Sequence, residues 1–429
     1  MQPRPCTTPR AAAISDAFGR LPILRVGLLV FGIASVACAA APTDLILILA
    51  RGVQGAGAAL LVPSSLALIN SAFSPDDQPK AIGTWTAWTG TAFVVGPLLG
   101  GVLVDTLNWR WIFAVNVLPV AVNLVLSYRL VEPARTSART PIDAPGAVLA
   151  AVGLGGTVYA LIEQQRLGLS NPAVAMPLAV GVLALAALPW RETHTNHPMI
   201  PLHMFKVRNF GIGNLSTIFV YAGLSMGTLI TALFLQEVAG FSALMAGLAT
   251  LPVPLLSFVI ARPVGGLSAT YGPQLFMAAG PIIAGSGYLL MLTADSDSDF
   301  EFWWQMFPGL ILFGIGLSVT VTPLTSAILA AVERDQSGIG SAINNAVSRI
   351  AGLVAIACTG IIVGGTMDLT GFHRATLVTA ALFIVGGVVS ALGIVNHHPR
   401  IDAEAVAAAA NCCDRAGAPP SVTTRSGPV

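Results

Sequence analysis

The sequence predicts an all-α polytopic membrane protein with about twelve membrane-spanning helices, and three observations carry that expectation. Hydrophobic residues fill 55% of the 429 positions and charged residues only 10%, for a mean hydropathy of +0.78. A soluble domain is about one quarter charged. The apolar residues also gather into runs near the ~20 residues that cross a bilayer, where a helix satisfies its own backbone. Finally, lysine and arginine gather in alternate gaps between the runs. A net charge of +1 without a basic face excludes a nucleic-acid footprint.

Taken in order, the apolar runs cover residues 21–41, 45–73, 81–104, 111–130, 147–162, 172–190, 210–235, 243–264, 275–293, 302–332, 339–366 and 375–395. The two runs between 147 and 190 are the shortest pair. With Arg20 and Arg25 placed in the cytoplasm, strict alternation puts Lys80, Arg129, Arg135, Arg139, Arg191, Lys206, Arg208, Arg262, Arg334 and Arg400 on that side. The opposite side receives Arg110, Arg166 and Arg374, a bias that supports both cytoplasmic termini and an even number of spans. No secretory signal is evident before Ala13, and a plasma (inner) membrane protein is expected. Residues 131–145 and 191–208 read as linkers, and 401–429 as a disordered cytoplasmic tail.

Cysteine chemistry adds nothing to this picture. Cys38 and Cys358 fall inside apolar runs, Cys6 lies in the N-terminal arm, and vicinal Cys412 and Cys413 lack the spacing of a zinc site. No metal or cofactor is expected. No nucleophile, base and orienting group converge, so the chain is not read as an enzyme.

Polar residues inside the spans are the informative ones. Arg51 and Gln54 stand three apart in Arg51-Gly-Val-Gln-Gly-Ala-Gly-Ala-Ala59, within an otherwise apolar run. An arginine at mid-membrane costs about 3 kcal/mol, and ten Leu, Ile and Val neighbours return roughly 3 to 6. The helix therefore carries its arginine, whose side chain must face protein or a wet cavity. Further on, Gly96-Pro97-Leu-Leu-Gly100-Gly101 combines a kinking proline with Ala92, Gly96 and Gly100 at every fourth position, a flat face for close helix approach. That pattern reads equally as a packing helix with a bend or as a bend used in alternation between states. The segment Asp16-Ala-Phe-Gly19-Arg20 suits a tight cytoplasmic turn, and Gly265 to Gln274 reads as a second copy of that loop with its charges lost.

Read in order, Asp16-Ala-Phe-Gly-Arg20, Arg51-Gly-Val-Gln54-Gly, Gly96-Pro-Leu-Leu-Gly-Gly101 and Trp109-Arg-Trp-Ile-Phe-Ala-Val-Asn116 resemble successive motifs of the major facilitator superfamily. The resemblance is to its fourteen-helix drug:proton antiporter branch. Pro201-Leu-His-Met-Phe-Lys, Phe234-Leu-Gln236 onward to Gly247, and Ser341-Ala-Ile-Asn344-Asn345 onward to Arg349 and Gly352 are similar to that branch's later patterns. What the resemblance implies is export of amphipathic or apolar small molecules in exchange for protons, by a monomer in the lipid bilayer. It implies an incomplete N-terminal bundle of four spans over 21–133 behind the arm and cytoplasmic loop motif of 1–20. Two linker helices over 134–193 and a six-helix C-terminal bundle over 194–400 follow. It assigns proton coupling to Arg51 and Gln54, and a hinge to Gly96, Pro97, Gly100 and Gly101. Gln236, Asn344, Asn345 and Arg349 become lining for a C-terminal cavity, with a cytoplasmic arginine that snorkels as an equal reading of Arg349.

One departure matters for mechanism. Members of that branch place two spans before the Asp-Phe-Gly-Arg loop, and here the loop opens the chain, so the resemblance leaves Arg51 without the acid expected opposite it. Glu163, Glu237, Asp105 and Asp368 all fall near span ends and read as interfacial charges or as a displaced proton carrier. Three readings follow: a start codon set downstream of the true one, a degenerate carrier, or a shortened membrane protein that binds a ligand or partner as a sensor.

Overall fold

The computed structural model describes residues 20–72, 81, 84, 95–96, 98–130, 144–195, 202–295, 300–332, 337–365 and 367–396. Among these, eleven helical stretches are long and apolar enough to cross a membrane. The described structure is entirely helical apart from turns and short connections. The chain is an all-α, multi-pass integral membrane protein. The expected run at 81–104 lies mostly outside the described residues, as do the tail, Asp16, Gly19 and Pro97.

The helices follow the apolar runs. They are α1 (Arg20–Ala40), α2 (Asp44–Ala72), α3 (98–106), α4 (Trp111–Ala114), α5 (Val117–Tyr128), α6 (Ala144–Leu167) and α7 (Pro172–His194). After them come α8 (Arg208–Leu233), α9 (Ala243–Thr250), α10 (Pro252–Tyr271), α11 (Pro273–Leu290), α12 (Phe302–Gln305), α13 (Phe307–Ala330), α14 (Ser337–Val363) and α15 (Leu369–Gly393). Breaks between α9 and α10 and between α12 and α13 fall beside Pro252 and Pro308, where a missing donor interrupts the ladder. A π-helical turn, Phe234–Val238, extends α8.

Two expectations of the sequence are corrected here. The short runs at 147–162 and 172–190 are longer as helices, because hydropathy stops at the first polar residue whereas the backbone ladder continues through Glu163, Gln164 and Arg166 to the positive-φ Gly168. The loop expected over Gly265–Gln274 is helical as far as Tyr271. Only Gly272, at φ +86°, makes a turn before Pro273 starts the next helix.

Packing falls into recognisable groups. α1 lies along α2 and touches α4 and α5, while α6 pairs with α7 and leans on α14. In the second half, α11 packs along α13 and α15, and α8 along α14 and α15. The core between them holds Phe234 stacked on Phe372 at 4.1 Å, and Tyr288 edge-on to Phe313 at 5.0 Å. The α11–α13 pair approaches most closely where Gly287 faces Gly309 and Gly316 faces Ala284, backbone against backbone. At the helix ends, Arg208 Nε donates to the Gly393 carbonyl of α15 at 2.9 Å, and Gln274 Nε2 donates to Ala391 O at 2.8 Å.

Candidate functional site

Gln54 is 2% exposed and Ser35 fully buried where α1 and α2 cross. Burial leaves an amide and a hydroxyl in need of partners, and they find each other: Gln54 Nε2 donates to Ser35 Oγ at 2.7 Å, and Ser35 Oγ donates to the Phe31 carbonyl at 2.7 Å. Gln54 Oε1 in turn accepts from Arg51 Nη1 at 2.6 Å. Arg51 thus ends a three-member polar relay running from an exposed guanidinium into the helix crossing. Its Cζ lies 5.6 Å from the centre of the Phe113 ring. The crossing is close because Gly57 is flush with Phe31, where an added Cβ would sit 2.7 Å from the backbone nitrogen. Replacing Gln54 with leucine is expected to destabilise the pair by about 1–2 kcal/mol, since Ser35 and Arg51 each lose a bond, measured as a lower detergent melting temperature.

No carboxylate among the described residues joins this relay. Among the described residues, the ion pair found links Glu163 to Arg166 within α6, with Arg166 largely exposed. The other acids singled out by sequence are occupied at helix ends. Asp368 caps α15 by accepting from Gly371 N, at 2.6 Å. Asp105 accepts from Ala243 N at 3.1 Å and Leu244 N at 2.8 Å, at the start of α9. Glu237 is exposed in the π turn. Glu192, which composition did not single out, is 6% exposed near the end of α7.

Of the glycines expected to form a hinge, Gly96 and Gly100 meet nothing within 4 Å among the described residues, whereas a Cβ on Gly101 would reach Leu244 Cα at 2.6 Å. Among the described residues, the glycine of this group in close contact is therefore Gly101, the residue after the last position of the spacing read in sequence. Arg20 opens α1.

The C-terminal residues are spread along the bundle. Asn344 Nδ2 donates to Thr217 Oγ1 at 2.9 Å and to Asn214 Oδ1 at 3.3 Å, tying α14 to α8. Asn345 and Arg349 are exposed on α14. Gln236, exposed in the π turn, lies about 30 Å from that tie, at 1.5 Å of rise per residue. Asn214, a buried partner, was missed by sequence reading because a single asparagine in an apolar run declares no direction.

Comparison with known proteins agrees with the fold. A family model described as Major Facilitator Superfamily matches residues 6–356. The chain is 30% identical to the multidrug resistance protein Stp of Mycobacterium tuberculosis across 84% of its own length, and it spans only 66% of that relative. It is 31% identical to the methylenomycin A resistance protein of Streptomyces coelicolor, covering 88% of the chain and 79% of the relative. A crystal structure of the peptide transporter POT in complex with sulfate superposes with a TM-score of 0.63 over 89% of the chain and 81% of that structure, at 17% identity, a likeness of fold.

Proposed function

The chain belongs to the major facilitator superfamily, and from that premise we propose a secondary transporter that exports amphipathic or apolar small molecules in exchange for protons by alternating access. The observation that carries the reading is the relay Arg51–Gln54–Ser35 within an apolar span. An arginine in such a place serves an ion or substrate path by default. Resistance to puromycin and lincomycin in the names of two further relatives, from Streptomyces alboniger and Streptomyces lincolnensis, supports small-molecule export.

In this proposal α1–α5, with the span at 81–104, form an N-terminal bundle. The α6–α7 hairpin is a linker pair, α8–α15 form the second bundle, and the path lies between the bundles. Arg51 senses proton occupancy, and the glycines from Gly96 to Gly101 with Pro97 act as the hinge. Both termini are cytoplasmic, the protein acts as a monomer, and it sits in the inner membrane. Gln236, Asn344, Asn345 and Arg349 contribute at different depths of the second bundle rather than as one cluster. Asn344 acts through the α8–α14 tie.

The test is a proteoliposome preparation loaded with a pH-sensitive dye and challenged with apolar cationic dyes or antibiotics. Substrate-dependent proton movement is expected, and its absence across such a panel refutes antiport. Glu163→Gln is expected to leave the pH profile unchanged, because the carboxylate is already paired with Arg166 at the helix surface. A flattened profile would make Glu163 the proton carrier.

A second reading, a membrane protein that binds a ligand without carrying it, is favoured by one observation: among the described residues no acid pairs with Arg51. It predicts saturable binding with no net flux, retained in Arg51→Ala.

A further inference from the structure

Asp105 ends α3 with its carboxylate across the start of α9, 138 and 139 residues further along the chain. Oδ1 accepts the backbone N–H of Ala243 and Oδ2 that of Leu244, so both oxygens are used on two of the free donors that open a helix. Four residues before Asp105, Gly101 brings α3 into backbone contact with the same two residues. The helix has a cap of its own as well: Ser242 Oγ accepts from Met245 N at 3.2 Å. α9 is therefore capped twice, once from within and once from the other half of the chain.

We infer that Asp105 is a positioning residue that latches the outer gate of the transport cycle closed, and that it is not the proton carrier. The inference rests on the alternating-access reading above and on the orientation that places the 104–111 connection outside. When the gate opens, Ser242 keeps α9 started while Ala243 and Leu244 N–H turn to water, so release costs no helix. Closure restores a charge-assisted fork that no other described side chain supplies.

The carboxylate stays ionised throughout. The N–H of Leu244 and the Ser242 hydroxyl, helped by the N–H of Ala243, hold it below the ordinary carboxylate range and outweigh the opposing effect of burial. Neither α9 nor the connection from Ala239 to Ser242 carries an ionisable side chain. The flanking charged groups, Glu237 and Arg110, are exposed, and Arg110 is turned to the Ala41 carbonyl at 3.1 Å. A group with a lowered value contributes its closure above the ordinary value and loses it only as pH falls through the lowered one. Between about pH 5 and 8 the latch is expected not to titrate.

The experiment uses the full chain in nanodiscs, its five cysteines replaced by serine. Spin labels are placed on Leu107→Cys and Thr370→Cys, both exposed beside the outer connections. Asp105→Asn keeps the shape but offers one acceptor, and it is expected to raise the long-distance population by about threefold or more at neutral pH. Asp105→Glu is expected to stay near the unmodified protein, and the unmodified distances to be the same at pH 5 and 8. Distances unchanged in Asp105→Asn overturn the latch. Opening between pH 8 and 5 that Asp105→Asn abolishes overturns it too, making Asp105 a proton site. Flux in proteoliposomes, measured on the same variants, separates the two proposals: shifted distances without flux in any variant leave the latch standing and remove transport. Flux with unmoved distances removes the latch alone.

Discussion

Replacing Arg51 with alanine is expected to reduce pH-gradient-driven export by roughly tenfold or more, about 1.4 kcal/mol or more in transition-state free energy, while leaving the melting temperature nearly unchanged. The asymmetry follows from where its contacts lie. Arg51 is exposed, and among the described residues its polar bond goes to Gln54 Oε1, which water entering the space left by the guanidinium is expected to reach, while Gln54 Nε2 keeps its donation to Ser35. Removing a charge from an apolar span also removes an insertion cost of about 3 kcal/mol, so folding in the membrane does not suffer. Lysine at this position retains charge but loses the planar fork aimed at Gln54 Oε1, and an intermediate rate is expected. Export by Arg51→Ala equal to the unmodified protein, in vesicles with matched protein content, would remove Arg51 from proton coupling.

The largest loss of stability is expected from Gly316→Leu. An added Cβ at Gly316 would collide with the backbone nitrogen of Ala284 and lie 2.5 Å from the Gly280 carbonyl. Backbone atoms cannot rotate aside as a side chain does. α11 and α13 must therefore separate, which breaks the matching contact between Gly287 and Gly309 and loosens Tyr288 from Phe313. Overpacking of this kind costs about 3 kcal/mol or more, and in lipid no hydrophobic force pulls the helices together again. The readout is detergent melting and the yield of monodisperse protein. Gly316→Ala should show a smaller loss, while a Gly316→Leu protein that melts like the unmodified one would contradict the packing described.

What the sequence showed and what it hid divide along the range of the interaction. The spans were legible because insertion into lipid is decided by composition over about twenty residues. Arg51 and Gln54 were legible because three residues put both on one helical face. Ser35, their third member, was not, since nothing local says which α1 residue meets Gln54. The glycines from 96 to 101 were legible as a group, yet among the described residues the one in close contact is Gly101, because spacing defines a face without saying what lies against it. Asp105 is the clearest case. Its position suggested an interfacial charge, and only its partners at Ala243 and Leu244 show that the charge is spent across the molecule.

The hydrogen bond from Arg208 to Gly393 spans 185 residues. During synthesis Arg208 leaves the ribosome long before α15 exists, and at that moment its charge counts only toward which way the following span is inserted. Once α15 is made, the same guanidinium closes that helix's last carbonyls. One side chain is thus read twice, first by the insertion machinery and later by the finished fold. A substitution at Arg208 is therefore expected to weaken the charge bias that orients the following span and to uncap the end of α15 at the same time.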